Sequence, residues 1–316
     1  MMKAPALFIV VPCYNEQEAL PITAKRLTEL TNDMISKSII DTDSRIVLVD
    51  DGSRDETWKV ITGLHDADAR FEGVKLAHNA GHMNALWAGM TLSEGRCDCV
   101  ITIDADLQDD VNAMYGFLEA FRNGADVVYG VRSSRETDTA FKRTTAQGFY
   151  KLMNKLGVEM VYNHADYRLL SKRALQALLS FGEVNMFLRG MVPMLGFKTA
   201  QVAYARGERV AGESKYPLKK MIAFAMEGIT SLSNKPIRYV LLLGALCALL
   251  GVVMAVYVIV SLAGGHTVAG WASIMMSIWL LGGLQLMALG LIGEYIGKIY
   301  METKRRPKFI LEEHLV

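Results

Sequence analysis

From Tyr239 to Gly293 the chain carries no Asp, Glu, Lys or Arg, a run of 55 residues. A helix that is apolar all round must be hidden, either inside a large core or inside a membrane. The run is broken at Gly264-Gly-His-Thr-Val-Ala-Gly270, which divides it into 240–263 and 271–293. At about 1.5 Å per residue, the first piece reaches ~36 Å and the second nearly as far, enough to cross a ~30 Å hydrocarbon layer with some tilt. A buried helix pair in a soluble protein is the alternative, but two adjacent charge-free runs of this length favour a membrane hairpin. Lys215, Lys219, Lys220, Lys235 and Arg238 precede it, and Lys298, Lys304, Arg305, Arg306 and Lys308 follow it, while the connection has no basic residue. The positive-inside bias therefore puts both termini on the cytoplasmic side of the inner membrane, as a multi-pass protein. No basic segment, apolar stretch and cleavage site precede the first strand, so export of the N-terminal part is not expected.

The net charge of +1 hides two unlike parts. All 34 basic and 33 acidic residues fall outside the uncharged run, at a density ordinary for a globular domain. The expected organisation is a cytoplasmic domain over 1–212, a juxtamembrane amphipathic segment over 213–238, two spans within 239–297 and a cytoplasmic tail over 298–316. Ala140 to Leu156 and Pro217 to Ser233 mix Lys and Arg with Phe, Leu, Met and Ile, a composition suited to an anionic lipid surface and also to ordinary domain helices. Cys13, Cys97, Cys99 and Cys247 have no metal or redox spacing and read as free thiols in a reducing compartment. No nucleic-acid partner is expected.

Within the first part, three apolar runs stop abruptly at polar residues. Leu7-Phe-Ile-Val-Val11 ends at Pro12-Cys-Tyr-Asn-Glu16, Arg45-Ile-Val-Leu-Val49 at Asp50-Asp-Gly-Ser53, and Cys99-Val-Ile-Thr-Ile103 at Asp104-Ala-Asp-Leu-Gln-Asp109. Helical patterns cover roughly 16–32, 54–66 and 83–94, and further strands are expected at 74–77 and 126–129. Such alternation predicts an α/β fold with a mostly parallel, Rossmann-like sheet covered on both faces. In such sheets ligands bind at the C-terminal ends of the strands. Asp104 and Asp106, two apart, project to one side as the pleat runs out. Hard oxygen ligands at that spacing suit Mg²⁺ or Mn²⁺ completed by a substrate diphosphate; alone, the segment also fits a solvated turn before a helix start. The chain has neither a Gly-x-Gly-x-x-Gly after the first strand nor a Walker A loop, which argues against a dinucleotide enzyme and a P-loop NTPase.

Taken in order, Pro12-Cys-Tyr-Asn-Glu16, Asp50-Asp-Gly-Ser53, Asn79-Ala-Gly81, Asp104-Ala-Asp-Leu-Gln108, Phe149-Tyr-Lys-Leu-Met-Asn-Lys155, Ala165-Asp-Tyr-Arg-Leu-Leu170, Arg206-Gly-Glu-Arg209, Gly212-Glu-Ser-Lys-Tyr216, Gly293-Glu-Tyr-Ile-Gly297 and Lys304-Arg-Arg-Pro307 resemble the GT-A domain and C-terminal part of family 2 polyprenyl-phosphate glycosyltransferases. Bactoprenol glucosyltransferases are the nearest in pattern, with dolichol-phosphate mannose synthases and an aminoarabinose transferase in the same group. The resemblance implies that Pro12, Tyr14, Glu16 and Asp51 hold the uracil and ribose of a nucleotide-sugar, supported by Asp50 and Asn79. It implies that Asp104, Asp106 and Gln108 hold the divalent ion, and that Arg206, Arg209, Ser214 and Lys215 close over the diphosphate. Arg132, Lys142 and Arg168 are the candidates for the acceptor phosphate, since a doubly charged phosphate calls for paired cations. Asp166 stands where the family's catalytic base is usually assigned. A phosphate monoester with a second pKa near ~6 needs little help from a base, so Asp166 can instead orient Arg168 or an acceptor contact.

The expected reaction is transfer of one hexose, glucose by resemblance, from a UDP-sugar to undecaprenyl phosphate with inversion. The processive-synthase motif Gln-x-x-Arg-Trp is absent. GDP-mannose or a UDP-aminoarabinose-type donor are alternatives, and so is a non-catalytic nucleotide-sugar-binding membrane protein. A homo-oligomer and a flippase partner are also expected. Asp110 and the pair Gly81-His82 depart from the family pattern, and His82 reads as a surface or capping residue.

Overall fold

The computed structural model describes residues 3–132, 164–205, 228–231, 233–264 and 270–316. The apolar run becomes β1 (Leu7–Cys13), and its alternation defines two cores. Leu7, Ile9, Val11 and Cys13 enter one and Phe8 and Val10 the other, because successive side chains of a strand point to opposite faces. Around β1 the chain lays down α1 (Leu20–Ser36), β2 (Arg45–Asp50), α2 (Thr57–Ala67), β3 (Phe71–Leu76), α3 (His82–Ser93), β4 (Cys99–Thr102), α4 (Ala113–Arg122) and β5 (Val127–Arg132). Then follow β6 (His164–Ser171), α5 (Lys172–Leu179), α6 (Leu188–Met194), β7 (Thr199–Tyr204), α7 (Lys235–Ala263), α8 (Trp271–Lys304) and β8 (Leu311–Leu315).

The sheet has eight strands in the order β7-β5-β6-β4-β1-β2-β3-β8. Strands β3, β2, β1 and β4 run parallel, β6 is antiparallel to β4 and β5, and β8 is antiparallel to β3. Helices α1, α2 and α4 cover one face through Leu27, Ile61 and Phe117, and α3, α5 and α6 cover the other through Leu86, Leu178 and Met191. Helix α3 lies very close to the sheet at Gly89, where an added Cβ would come within 2.4 Å of Val10 Cγ1 and 2.9 Å of Val49 Cγ2. This contact seats the start of α3 over the strand ends.

Helix α1 begins at Leu20 rather than near 16, because 15–17 are drawn into bonds with the loop after β2. Strand β3 begins earlier than 74, at Phe71, and its buried Glu72 is matched by Arg96 at 2.5 Å. The expected spans 240–263 and 271–293 fall inside α7 and α8, and α8 continues past the apolar run to Lys304. Large apolar side chains point outward from both, among them Leu241 at 74% exposure and Leu286 at 71%. Among the described residues, Leu280–Lys304 is long and apolar enough to cross a membrane. The amphipathic stretch 140–156, most of 217–233, and Lys142, Arg206, Arg209, Ser214 and Lys215 lie outside the described residues.

Candidate active site

The loops after β1, β2 and β3 are bonded into one wall. Asn15 N–H donates to Ser53 Oγ at 3.0 Å, Arg54 N–H to Asn15 Oδ1 at 2.9 Å, and Glu16 N–H to Thr57 Oγ1 at 2.8 Å. Asp50 accepts the Ser53 N–H at 3.0 Å on Oδ1. The Asp51 carboxylate accepts from Ala80 N–H at 2.7 Å and Gly81 N–H at 3.0 Å, fixing the turn that opens α3. Burial pushes the Asp51 carboxyl upward, and those two backbone donors partly offset the rise. The wall encloses a cleft of about 280 Å³ lined by Pro12, Tyr14, Glu16, Asp51, Asn79, His82, Asp104 and Asp106. Tyr14 presents its ring to solvent at 41% exposure. Of the described residues expected at the nucleotide-sugar and its ion, Pro12, Tyr14, Glu16, Asp51, Asn79, Asp104 and Asp106 thus line one cleft, and Asp50 and Gln108 are not in its lining.

Strand pairing supplies the deeper part of the site. Thr102 of β4 faces Arg168 of β6 in the last pair of their antiparallel register, two residues before Asp104 along one strand and two after Asp166 along the other. Thr102 Oγ1 donates to the Asp166 carbonyl at 2.5 Å and locks this end. His82, at the start of α3, lies between them, with Nε2 3.6 Å from Asp104 Oδ1 and 3.8 Å from Asp166 Oδ2. It is exposed at the start of α3, as a surface residue at a helix start should be, and it also lines the cleft.

Asp166 is held by two guanidiniums, Arg168 Nη2 at 2.5 Å on Oδ1 and Arg189 Nη2 at 2.9 Å on Oδ2. Burial alone would raise this carboxyl, but Arg189 and Arg168 outweigh it and hold the group well below the ordinary carboxylate range. A carboxylate so stabilised is a poor proton acceptor at neutral pH. Arg168 sits beneath it, its side chain only 3% exposed, with Nη1 donating to Leu188 O at 3.2 Å. Arg189 was not signalled by any motif. Its pairing with Asp166 arises only when α6 packs against β6. Arg132 also has an internal partner: Nη2 lies 3.1 Å from Asp109 Oδ1, which Tyr204 OH meets at 2.7 Å. That trio ties the acidic loop to β5 and β7.

The acidic loop gathers carboxylate oxygens at the edge of the cleft. Asp104 Oδ1 is buried and accepts no hydrogen bond among the described residues. Burial pushes the Asp104 carboxyl up to about 6; His82 opposes the rise, and Asp166, Asp109 and Asp106 add to it. Asp106 Oδ1 accepts the Gln108 N–H at 3.1 Å across Leu107, which has a positive φ of 52°. Among the described residues no group of three His, Cys, Asp or Glu side chains surrounds one point. Asp104 and Asp106 could hold a hard cation only with further oxygens brought by a ligand, as Mg²⁺ and Mn²⁺ sites commonly use.

Comparison with known proteins places this site in a family. The description "Glycosyl transferase family 2" matches residues 8–179, and "GtrB C-terminal hairpin" matches residues 235–299. An uncharacterized glycosyltransferase of Bacillus subtilis, YkoT, is 54% identical over 98% of this chain and 91% of its own length. The bactoprenol glucosyl transferase of Shigella phage SfV is 38% identical over 96% of this chain and 97% of its own. A prophage bactoprenol glucosyl transferase homolog of Escherichia coli is 37% identical over the same shares. The family match spans the strand-end cleft and the acidic loop, and the chain belongs to glycosyl transferase family 2.

Proposed function

We propose that this protein transfers one glucose from UDP-glucose to undecaprenyl phosphate at the cytoplasmic face of a membrane crossed by α7 and α8, inverting the anomeric centre. One observation carries the reading: the similarity to bactoprenol glucosyl transferases runs through both the cleft domain and the apolar helices. The cleft domain and the apolar helices are therefore shared together with those relatives. The basic residues flanking the helices support cytoplasmic ends.

In this reading the exposed Tyr14 ring stacks on uracil, Pro12 shapes that end of the cleft, and Glu16, Asp51 and Asn79 take the ribose, with Asp50 bracing the loop. Asp104, Asp106 and Gln108 hold Mg²⁺ or Mn²⁺, which when bound neutralises charge on the departing diphosphate. Arg206, Arg209, Ser214 and Lys215 are proposed to close over the diphosphate, and Lys142 to approach the acceptor. A phosphate oxygen of the acceptor forms the new bond to C1, the C1–O bond to the diphosphate breaks, and UDP leaves with the electron pair. The attacking oxygen is already largely deprotonated at neutral pH. Asp166 then serves by holding Arg168 and Arg189 in place rather than by accepting a proton.

The test is transfer of radiolabel from UDP-glucose to undecaprenyl phosphate in detergent with Mg²⁺ or Mn²⁺, run beside GDP-mannose and a UDP-aminoarabinose-type donor. Label in the lipid that disappears with EDTA and in Asp106→Ala is the expected result. Label from another donor alone would replace glucose. No label from any donor, with UDP binding intact, would favour a nucleotide-sugar-binding protein.

A further inference from the structure

We propose that His82 contacts the hexose of the bound nucleotide-sugar, a role that no motif of the sequence assigns to this residue. The proposal deepens the reading of the cleft as a nucleotide-sugar site and rests on it. Tyr14, Glu16, Asp51 and Asn79 line the cleft together with Asp104, Asp106 and His82. In that reading the first four take the nucleoside and the acidic pair takes the diphosphate. The hexose hangs from the diphosphate on the side away from the nucleoside, so it lies past the acidic pair. His82 reaches from the cleft wall in that direction. Its Nε2 stands 3.6 Å from Asp104 Oδ1 and 3.8 Å from Asp166 Oδ2, and Asp166 is not itself in the cleft lining.

The chemistry of the ring fits a sugar. Among the described residues neither ring nitrogen of His82 makes a hydrogen bond, because both carboxylates stand beyond that range. The side chain is 43% exposed. A neutral imidazole offers one donor and one acceptor, and sugar hydroxyls can complete both. Magnesium and manganese favour oxygen ligands over imidazole, which leaves the acidic pair as the ion's partners and the ring for the sugar. The backbone beneath the ring is fixed. Gly81 precedes it at φ +93° and donates its N–H to Asp51 at 3.0 Å. The Gly81 carbonyl accepts from Asn84 N–H at 2.9 Å and Ala85 N–H at 3.0 Å. Two turns further on, Gly89 seats α3 against Val10 and Val49 of the sheet. A ring carried on so fixed a helix start loses little freedom when it meets a ligand.

The test uses the full chain in detergent with Mn²⁺ and reads binding by calorimetry, of UDP and of UDP-glucose, without an acceptor. UDP lacks only the hexose, so the pair isolates the proposed contact. His82→Ala removes the ring, and His82→Phe keeps an aromatic ring without its nitrogens. Both variants are expected to bind UDP-glucose about five-fold more weakly than wild type, the scale of one net hydrogen bond, with UDP affinity within about two-fold. Unchanged UDP affinity also shows that the cleft is folded. Equal weakening of UDP and UDP-glucose would assign His82 to the nucleotide or its ion and overturn the proposal. Wild-type affinity for UDP-glucose in either variant would overturn it as well. The transfer reading is judged by the radiolabel instead. A binding difference with no transfer from any donor removes that reading and leaves the hexose contact standing, whereas transfer with no binding difference does the reverse.

Discussion

Charged residues whose partners lie far along the chain define the site and its supports at the residue scale. Asp104, Asp106 and Asp51 are legible in the sequence because each follows an apolar strand that has no other reason to end in a carboxylate. Arg189 and Lys308 are not, because their partners are brought by packing. Lys308 lies over the Trp87 ring with Nζ 3.5 Å from its centroid and donates to the Phe181 carbonyl at 3.1 Å. Burial lowers its pKa to about 8, and Glu183 and Glu302 only partly offset the drop. In the unfolded chain a lysine titrates near ~10.4. Below about pH 8 both states carry the proton and no slope results. Between about pH 8 and 10 the unfolded state binds more protons, so the contribution of Lys308 to stability rises with pH across that window. The melting temperature of the wild type relative to Lys308→Gln should therefore be level from about pH 6 to 7 and climb from about pH 8 to 10. A level difference throughout would show that the ammonium keeps its full hydration.

At the scale of elements, the alternation of apolar runs and helical stretches was sufficient to place β1, β2, β4, α2 and α3 and the edge of the sheet that carries the cleft. Strands β6 and β8 were not foreseen. Arg168 and Asp166 interrupt the apolar pattern of β6 and are tolerated only because they neutralise one another, and Leu311–Leu315 becomes a strand by pairing with the exposed edge of β3. The turn after β2 shows how closely these elements fit. Gly52 has φ +65°, and a Cβ there would meet His78 C at 2.5 Å and Asn79 N at 2.6 Å. Both neighbours are backbone, so neither can swing aside. Gly52→Ala should cost about 2 kcal/mol or more from the left-handed conformation and the clash together, and lower the melting temperature by about 4 °C or more. Because the displaced segment includes Asn79 and the turn held by Asp51, UDP affinity should fall with it. A variant that melts and binds UDP like the wild type would mean that the turn relaxes freely.

At the scale of the whole molecule, the chain leaves the sheet after β7 and returns to its opposite edge through α8 and β8, so the C-terminal residues close the architecture. The sequence set 298–316 apart as a tail, since five residues reading Leu-Glu-Glu-His-Leu carry no strand signal of their own. The structure gives them bonds on two sides: Lys75 meets Glu312 at 2.8 Å beside the β3–β8 ladder, and Glu302 caps the segment before α6. The Glu302 carboxylate also accepts from Asn185 Nδ2 at 2.7 Å, so three donors converge on one side chain. Removing it leaves two partly buried backbone N–H groups without that acceptor, a local cost of about 1–3 kcal/mol each when water cannot replace it. Among the described residues Glu302 bonds to this segment, and Arg189 follows it directly. Glu302→Ala should therefore speed amide hydrogen exchange across 184–190 and leave exchange in β1 and β2 unchanged. Uniform acceleration over the whole sheet would make Glu302 a general stabiliser. Unchanged exchange at 184–190 would mean that packing of α6, rather than its tie to α8, holds Arg189 against Asp166.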